Sequence, residues 1–152
     1  MSFIELNNVS KYWSDVKAVD KFNLKIEQGD FVVLLGPSGC GKSTTLRLIA
    51  GLEDVSSGEI TIDGNNVNNL DPSSRNISMV FQSYALFPHL NVQENIIFGL
   101  RVRKVHKGER EIKLKNVAEK VGLSHLLKRK PAELSGGQRQ RVALARAIIN
   151  EN

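Results

Sequence analysis

The sequence predicts an α/β fold, and three observations carry that prediction. An unbroken apolar run, Phe31-Val32-Val33-Leu34-Leu35, enters a glycine-rich stretch, and a helical pattern with Leu46, Ile49 and Ala50 on one face leaves it. Continuous apolar runs of this kind are strands buried on both faces, as in a parallel sheet. Earlier segments instead alternate, at Ile4-Glu5-Leu6 and at Phe22, Leu24 and Ile26, as strands with one wet face do. A small antiparallel sheet beside a parallel core is therefore expected.

The glycine-rich stretch is Gly36-Pro37-Ser38-Gly39-Cys40-Gly41-Lys42-Ser43-Thr44, which fits G-x-x-x-x-G-K-[ST] between a strand and a helix. That setting reads as a phosphate-binding loop, or P-loop. Glycines let the backbone turn successive N–H groups toward one point, and the helix starting near Lys42 adds the positive end of its dipole. The Lys42 ammonium is placed for β- and γ-phosphates and the Ser43 hydroxyl for Mg²⁺. Pro37 stiffens the entry but has no N–H to give. Cys40, the single cysteine, reads as a small filler within the loop, since no histidine partner marks it as a nucleophile.

The remaining elements follow in order. Ile4-Glu5-Leu6 starts a strand; Val9 to Trp13 follows, and Ser14-Asp15 turns the chain. Trp13, the only tryptophan, reads either as core filling or as a platform on which a purine base stacks. Gln28-Gly29-Asp30 turns into the 31–35 run. Gly51 is placed to cap the helix after the P-loop. Glu59-Ile60-Thr61-Ile62 alternates and ends in Asp63-Gly64, a hairpin signal. Ile77-Ser78-Met79-Val80-Phe81 reads as a strand ending at Gln82, and 83–89 as a loop. Asn91 with Glu94 makes a capping box ahead of Ile96, Ile97 and Leu100. A second helix carries Ile112, Val117 and Val121 and ends at Gly122. A last helix opens at Leu134-Ser135-Gly136-Gly137-Gln138, with Val142, Ala145 and Ile149 on one face.

Composition narrows the function classes. The chain has 152 residues, 41% hydrophobic, enough for one packed domain, and its lone cysteine excludes an internal disulfide framework. No apolar run reaches the length of about 18 residues expected of a membrane span, and Met1-Ser2-Phe3-Ile4-Glu5 lacks the layout of a secretory signal. Net charge is +5, densest over 101–115 and 128–141. Without aromatic interleaving or a nucleic-acid motif, this charge reads as solvated helix faces rather than a nucleic-acid surface. His89, His106 and His125 read as loop or surface histidines.

A second anion-seeking element lies at the last helix. Ser135 and Gln138 make a capping box, while Gly136 and Gly137 leave the first-turn amides bare, with Arg139 and Arg141 following. The ordered set is what matters: the P-loop at 36–44, Phe81-Gln82-Ser83-Tyr84 after a strand, and the stretch from Leu134 through Arg139-Gln140-Arg141 into Val142-Ala143-Leu144-Ala145-Arg146-Ala147. In that set the chain resembles the ATPase subunits of ATP-binding cassette (ABC) transporters over essentially its whole length. Residues 79–89 are most similar to importers of the maltose, oligosaccharide and glycerol-phosphate type.

The resemblance implies a P-loop NTPase core with an antiparallel β subdomain and a helical subdomain over about 91–134, the whole of 1–152 forming part of a nucleotide-binding domain. It implies ATP and Mg²⁺ as ligands. Trp13 takes the adenine-stacking position, with Tyr12 as its fallback. Gly36, Pro37, Ser38, Gly39, Cys40, Gly41, Lys42, Ser43 and Thr44 form Walker A. Gln82 contacts Mg²⁺ and the attacking water beside Ser43. Lys42 and Gln82 are the catalytic candidates. Ser135, Gly136, Gly137 and Gln138 bind the γ-phosphate held by a second copy in a head-to-tail dimer. The loop after Gln82 meets transmembrane permease subunits, placing the protein on the cytoplasmic face of the membrane.

The family pattern continues into a Walker B strand ending in Asp-Glu, a D-loop and a switch histidine, and the chain reaches Asn150-Glu151-Asn152 before any of them. Ile60-Thr61-Ile62-Asp63 does not substitute, because Gly64 makes it a hairpin. The fold is thus expected to be C-terminally incomplete, with an unpaired sheet edge, an uncovered apolar face and marginal stability. This exact chain is expected to hydrolyse little ATP, lacking the carboxylates that hold metal and orient water. The functional expectation is an ATP-binding subunit of an ABC importer; the alternatives are a non-hydrolysing ATP-binding module, a plain P-loop kinase, which would leave Ser135–Gln138 unexplained, and a DNA-associated ABC-type ATPase. The latter class separates its motifs with long coiled coils, and no sustained heptads lie between residues 44 and 134.

Overall fold

The computed structural model describes residues 3–150, which divide into two compact units at Ile77/Ser78. The first unit is built on a four-stranded antiparallel sheet of order β2-β1-β3-β4, with β1 at Ile4–Trp13, β2 at Val16–Ile26, β3 at Ser57–Ile62 and β4 at Asn65–Asn66. β1 pairs β2 through a hairpin turned at Ser14, and pairs β3 on its other edge. The early alternation is interrupted rather than ended: Asn8 and Lys21 adopt positive φ at bulges, and the buried side passes from Leu6 to Val9. Ser10, 1% exposed, holds one bulge by accepting the Lys21 N–H at 2.9 Å. Asp63 and Gly64, both at positive φ, make the tight turn between β3 and β4 that their pair of residues demands.

Helix α1, Lys42–Ala50, packs Leu48 and Ile49 into a core with Leu6, Val9, Val19, Ile60, Ile62 and Val67. Gly51 terminates α1 in the left-handed conformation, its N–H returning to the last turn. The apolar face is rotated from the one read in the sequence: Leu46 is exposed and Leu48 is fully buried.

The second unit is helical: α2 at Val92–Val102, α3 at Lys107–Lys120 and α4 at Gly136–Ile148, with short 3-10 turns at Ser124–Leu126 and Pro131–Glu133. Its core joins Val92, Ile96 and Leu100 of α2, Val117 and Ala118 of α3, and Val142 and Ala145 of α4, with Ile149 just beyond. The Asn91/Glu94 and Ser135/Gln138 capping boxes both form. Ile112, read as a core position, lies exposed on α3, whose outer face instead carries the Lys107–Glu111 and Glu109–Lys113 ion pairs. Among the described residues no helix is long and apolar enough to cross a membrane.

One expectation about the sheet is corrected. Neither 31–35 nor 77–81 forms a strand, and among the described residues no parallel pairing occurs. Phe31 and Leu35 are 92% and 88% exposed, and Val33, Val80 and Phe81 are exposed as well. A strand of a parallel sheet exists through its neighbours on both edges, and an extended segment without them gains no ladder. Apolar side chains of these two segments are exposed, on stretches that remain irregular.

Candidate functional site

The P-loop is positioned by its last glycine. Gly41 sits at φ 95°, a left-handed conformation, and a Cβ there would run into the Ala18 carbonyl oxygen of β2. Only glycine permits both the turn and this approach. Gly41 is also the N-cap of α1 and has no side chain to offer it. The amides of Lys42, Ser43 and Thr44 therefore lack an intrahelical acceptor, while Thr45 N–H donates back to Gly41 O at 2.8 Å. With residues 36–40 exposed and no acidic side chain in the first turn of α1, these amides and the helix dipole form an open anion seat.

The Lys42 ammonium arches over the loop, donating to Gly36 O and Pro37 O at 2.7 Å each and approaching Cys40 Sγ at 3.4 Å. This clamps the two ends of the loop together and holds the charge beside the seat. Cys40 is exposed and occupies the space a Cβ on Gly36 would need, consistent with its reading as filler.

The far end of α1 is held by a residue the sequence reading missed. Arg75, 4% exposed, donates to Leu48 O at 2.8 Å, Ile49 O at 3.1 Å and Leu70 O at 3.0 Å. Its guanidinium shares Leu48 O with the Gly51 N–H and serves Ile49 O beyond it, and its charge complements the helix dipole. Burial lowers the Arg75 pKa from the ordinary guanidinium value. A signal existed, a lone arginine in an Asn/Asp/Ser-rich loop, but its backbone partners carry no sequence signature.

Trp13 is 45% exposed, which removes the core-filling reading. It pairs with Val16 across the β1–β2 hairpin, and Val16, itself 63% exposed, precedes by two residues the Ala18 whose carbonyl meets Gly41. Two residues of strand span about 7 Å. The hairpin thus sets a wide apolar surface, Trp13 with Val16, one short step from the anion seat. Val16 was not singled out from the sequence; only the register brings it to Trp13. Lys11 Nζ lies 5.5 Å from the Trp13 ring. Tyr12 is otherwise engaged: its hydroxyl donates to Asp20 Oδ1 at 2.8 Å, and Lys17 bonds Asp20 Oδ2 at 3.2 Å. The Tyr12 hydrogen bond first, and Lys17 second, hold the Asp20 carboxyl below its ordinary pKa.

The other candidates lie in the second unit. Gln82 is exposed in a turn over 82–85, in which Tyr84 N–H donates to Phe81 O at 2.9 Å. Ser135 caps α4, and its own N–H donates to Gln138 Oε1 at 2.8 Å. Gly136 and Gly137 are exposed, and a Cβ on either would meet nothing within 4 Å. Arg141 is not aimed at this end: its guanidinium donates to Val121 O at 3.2 Å, beyond the end of α3. A cleft of about 310 Å³ between α2 and α3, lined by Ile97, Arg101, Arg110 and Leu114 among others, contains none of these motif residues.

Among the described residues no cluster of three His, Cys, Asp or Glu side chains could hold a metal ion. The exposed Ser43 hydroxyl is a hard oxygen donor beside the anion seat. That suits Mg²⁺, which keeps several waters and relies on one or two protein oxygens plus phosphates.

A family model described as ABC transporter matches residues 19–152. The chain is 55% identical over 152 residues to the sn-glycerol-3-phosphate import ATP-binding protein UgpC of Psychromonas ingrahamii, covering 99% of this chain and 41% of that protein. It is 53% identical over 151 residues to the maltose/maltodextrin import ATP-binding protein MalK of Mannheimia succiniciproducens, with coverage of 99% and 41%. A dimeric post-hydrolysis state of an ATP-binding cassette bound to ADP and Pi superposes with a TM-score of 0.85 at 35% identity, covering 97% of this chain and 69% of that one. The chain spans about two-fifths of the length of these curated relatives.

Proposed function

The chain belongs to the ABC transporter ATPase family, and from that premise we propose that it is the ATP-binding part of an importer of the carbohydrate or glycerol-phosphate type, coupling ATP binding and hydrolysis to solute uptake. The observation that carries this is the hairpin-anchored P-loop: an amide seat at Lys42–Thr44 with Trp13 and Val16 one short step away. A nucleoside triphosphate has that layout, an aromatic plane joined to a polyanion.

The adenine stacks on Trp13, where the exposed ring offers a π-face worth about 1–3 kcal/mol per base. The phosphate chain lies on the amides at the start of α1, with the Gly36–Thr44 backbone turned around it. Lys42 exchanges its hold on Gly36 O and Pro37 O for the β- and γ-phosphates, leaving two neutral acceptors for a charged one. Ser43 in the first unit would hold Mg²⁺ through its hydroxyl oxygen, and Gln82 would offer the ion a side-chain amide oxygen and orient the attacking water. When bound, Mg²⁺ draws charge off the transferring phosphoryl group.

Ser135, Gly136, Gly137 and Gln138 serve a second copy. Their bare first-turn amides face the γ-phosphate held on the P-loop of the opposite subunit, so two copies close head-to-tail over two nucleotides. The helical subdomain, about 91–134, carries that element, and permease subunits dock against the loop after Gln82 on the cytoplasmic side of the membrane. The relatives' names, which specify import of glycerol phosphate or of maltose and maltodextrin, support the solute class.

The test is equilibrium ATP binding by the native protein and by Lys42→Met. The proposal expects loss of ATP affinity by about a hundredfold, the equivalent of one charge-assisted contact at about 1.5–3 kcal/mol plus a loosened loop. Unchanged affinity in a folded Lys42→Met protein would overturn it.

A further inference from the structure

Tyr84 and Ala85 are consecutive residues in the left-handed region, at φ 63° and 46°, and neither is glycine. Such a pair persists where its surroundings over-determine it. Tyr84 N–H closes the turn on Phe81 O at 2.9 Å, and one side chain holds the two carbonyls. Arg146, near the C-terminal end of α4, donates from Nη1 to Ala85 O at 2.7 Å and from Nη2 to Tyr84 O at 2.9 Å. Its guanidinium carbon also lies 5.8 Å from the Phe87 ring, which packs on Phe98 of α2 at 4.4 Å.

The rest of the loop is held independently. Asn95 of α2, fully buried, accepts from Phe87 N–H at 2.8 Å and donates to Phe87 O, Leu90 O and Asn91 O. The Phe87–Asn91 half is therefore fixed to α2, and the Tyr84–Ala85 half is fixed to α4 by Arg146. The arginine is half-buried, and desolvation lowers its pKa. Among the described residues its guanidinium meets two carbonyls and one ring face, so it is not a solvated surface charge.

We propose that Arg146 is a positioning residue that shapes the turn after Gln82 for its membrane partner and ties that turn to the helix bearing Ser135–Gln138. One rigid element then carries both. From Ser135 to Arg146 is eleven residues of one helix, about 16 Å at 1.5 Å per residue. A partner pressing on Tyr84–Ala85 pushes on the C-terminal end of α4, and the amides of Gly136 and Gly137 at its other end move with it. The inference deepens the proposed function, because it rests on the reading that this loop meets a membrane subunit.

The test uses the native protein and its membrane-assembled complex, with Arg146→Lys, Arg146→Met and the double variant Ala85→Gly/Arg146→Met. Hydrogen exchange is read at the amides of 83–90, alongside ATP affinity and affinity for the membrane subunits. Losing two charge-assisted bonds should raise exchange at 83–86 by at least about tenfold in Arg146→Met. Affinity for the membrane subunits should fall by a similar factor, while ATP affinity stays within about twofold. Arg146→Lys, which keeps the charge but not the fork, should fall between. Ala85→Gly should recover part of both losses, because glycine holds positive φ without strain. A merely structural arginine would not be rescued by a glycine placed in the loop.

Unchanged exchange at 83–86 would overturn the proposal, as would raised exchange with unchanged membrane affinity. Ser83→Trp, which places bulk on the exposed turn without removing Arg146, separates the two readings. If Ser83→Trp also leaves assembly untouched, the docking reading has failed; if it blocks assembly while Arg146→Met does not, the failure belongs to Arg146 alone.

Discussion

Removing the Arg75 guanidinium should unfasten the P-loop helix from its far end. Arg75→Met keeps the aliphatic stem and deletes the donors to Leu48 O and Ile49 O, both in buried surroundings. Leu48 O keeps the Gly51 N–H at 3.2 Å, so the carbonyl that loses its donor outright is Ile49 O; a buried carbonyl left without a partner costs about 1–3 kcal/mol, and the lost bonds to a charged group are of the same size. Allowing for relaxation around Gly51, whose backbone lies against the guanidinium, the expected loss is about 3 kcal/mol. That is a large share of the roughly 5–15 kcal/mol that holds a domain together. Arg75→Lys should recover about half, since one ammonium serves as a point donor where the fork served several carbonyls. The assay is urea unfolding of the native protein at constant slope, read as a shift in midpoint. ATP affinity should fall as well, because α1 has only nine residues and a helix of that length depends on its ends being held. A loss below about 1 kcal/mol in Arg75→Met would refute the reasoning.

Three further outcomes are expected. Gly41→Ala should abolish ATP binding and cost about 2 kcal/mol or more, through left-handed strain and the clash with the Ala18 carbonyl; wild-type affinity in that variant would remove Gly41 from the site. The Tyr12–Asp20 link should be complete above the ordinary carboxylate range and be lost as pH falls through the depressed Asp20 value, so stability falls on acidification there; Asp20→Asn should flatten that part of the profile, measured by unfolding midpoint against pH. Ser135→Ala should cost about 1 kcal/mol through loss of the α4 cap, while Ser135→Asp should keep the stability and weaken only functions that need an anion at that helix end, which separates the cap from the γ-phosphate role in a paired binding and unfolding assay.

What could be read in advance follows the range of the interaction. The Asn91/Glu94 and Ser135/Gln138 boxes, the Gly51 cap and the Asp63-Gly64 turn are bonds between residues a few positions apart, and each formed as its local pattern requires. The P-loop was legible for the same reason, since glycine spacing and the following helix are local. Residues 31–35 and 77–81 were not, because a parallel strand is defined by partners elsewhere, and an apolar run states only that something should cover it. Leu46 and Ile112 misled because helical periodicity gives a face but not which neighbour lies across it. Arg75, Asn95 and Arg146 escaped notice because each binds backbone carbonyls, which every residue has. Trp13 was legible as a candidate, but setting aside core filling needed its exposure, and its pairing with Val16 is a matter of register.

The central claim is that base and phosphates are held by two features of the first unit, Trp13 and the amides of the P-loop. Trp13 is the only tryptophan in the 152-residue sequence, and its emission can be followed in the native protein, with Trp13→Phe identifying its share of the signal. The decisive measurement is a fluorescence titration with MgATP in the presence and absence of magnesium pyrophosphate. The account predicts that MgATP changes Trp13 emission, and that pyrophosphate, which has no base, displaces ATP while leaving the free-protein emission unaltered. ATP binding without any change at Trp13, or binding that pyrophosphate cannot compete, would contradict it.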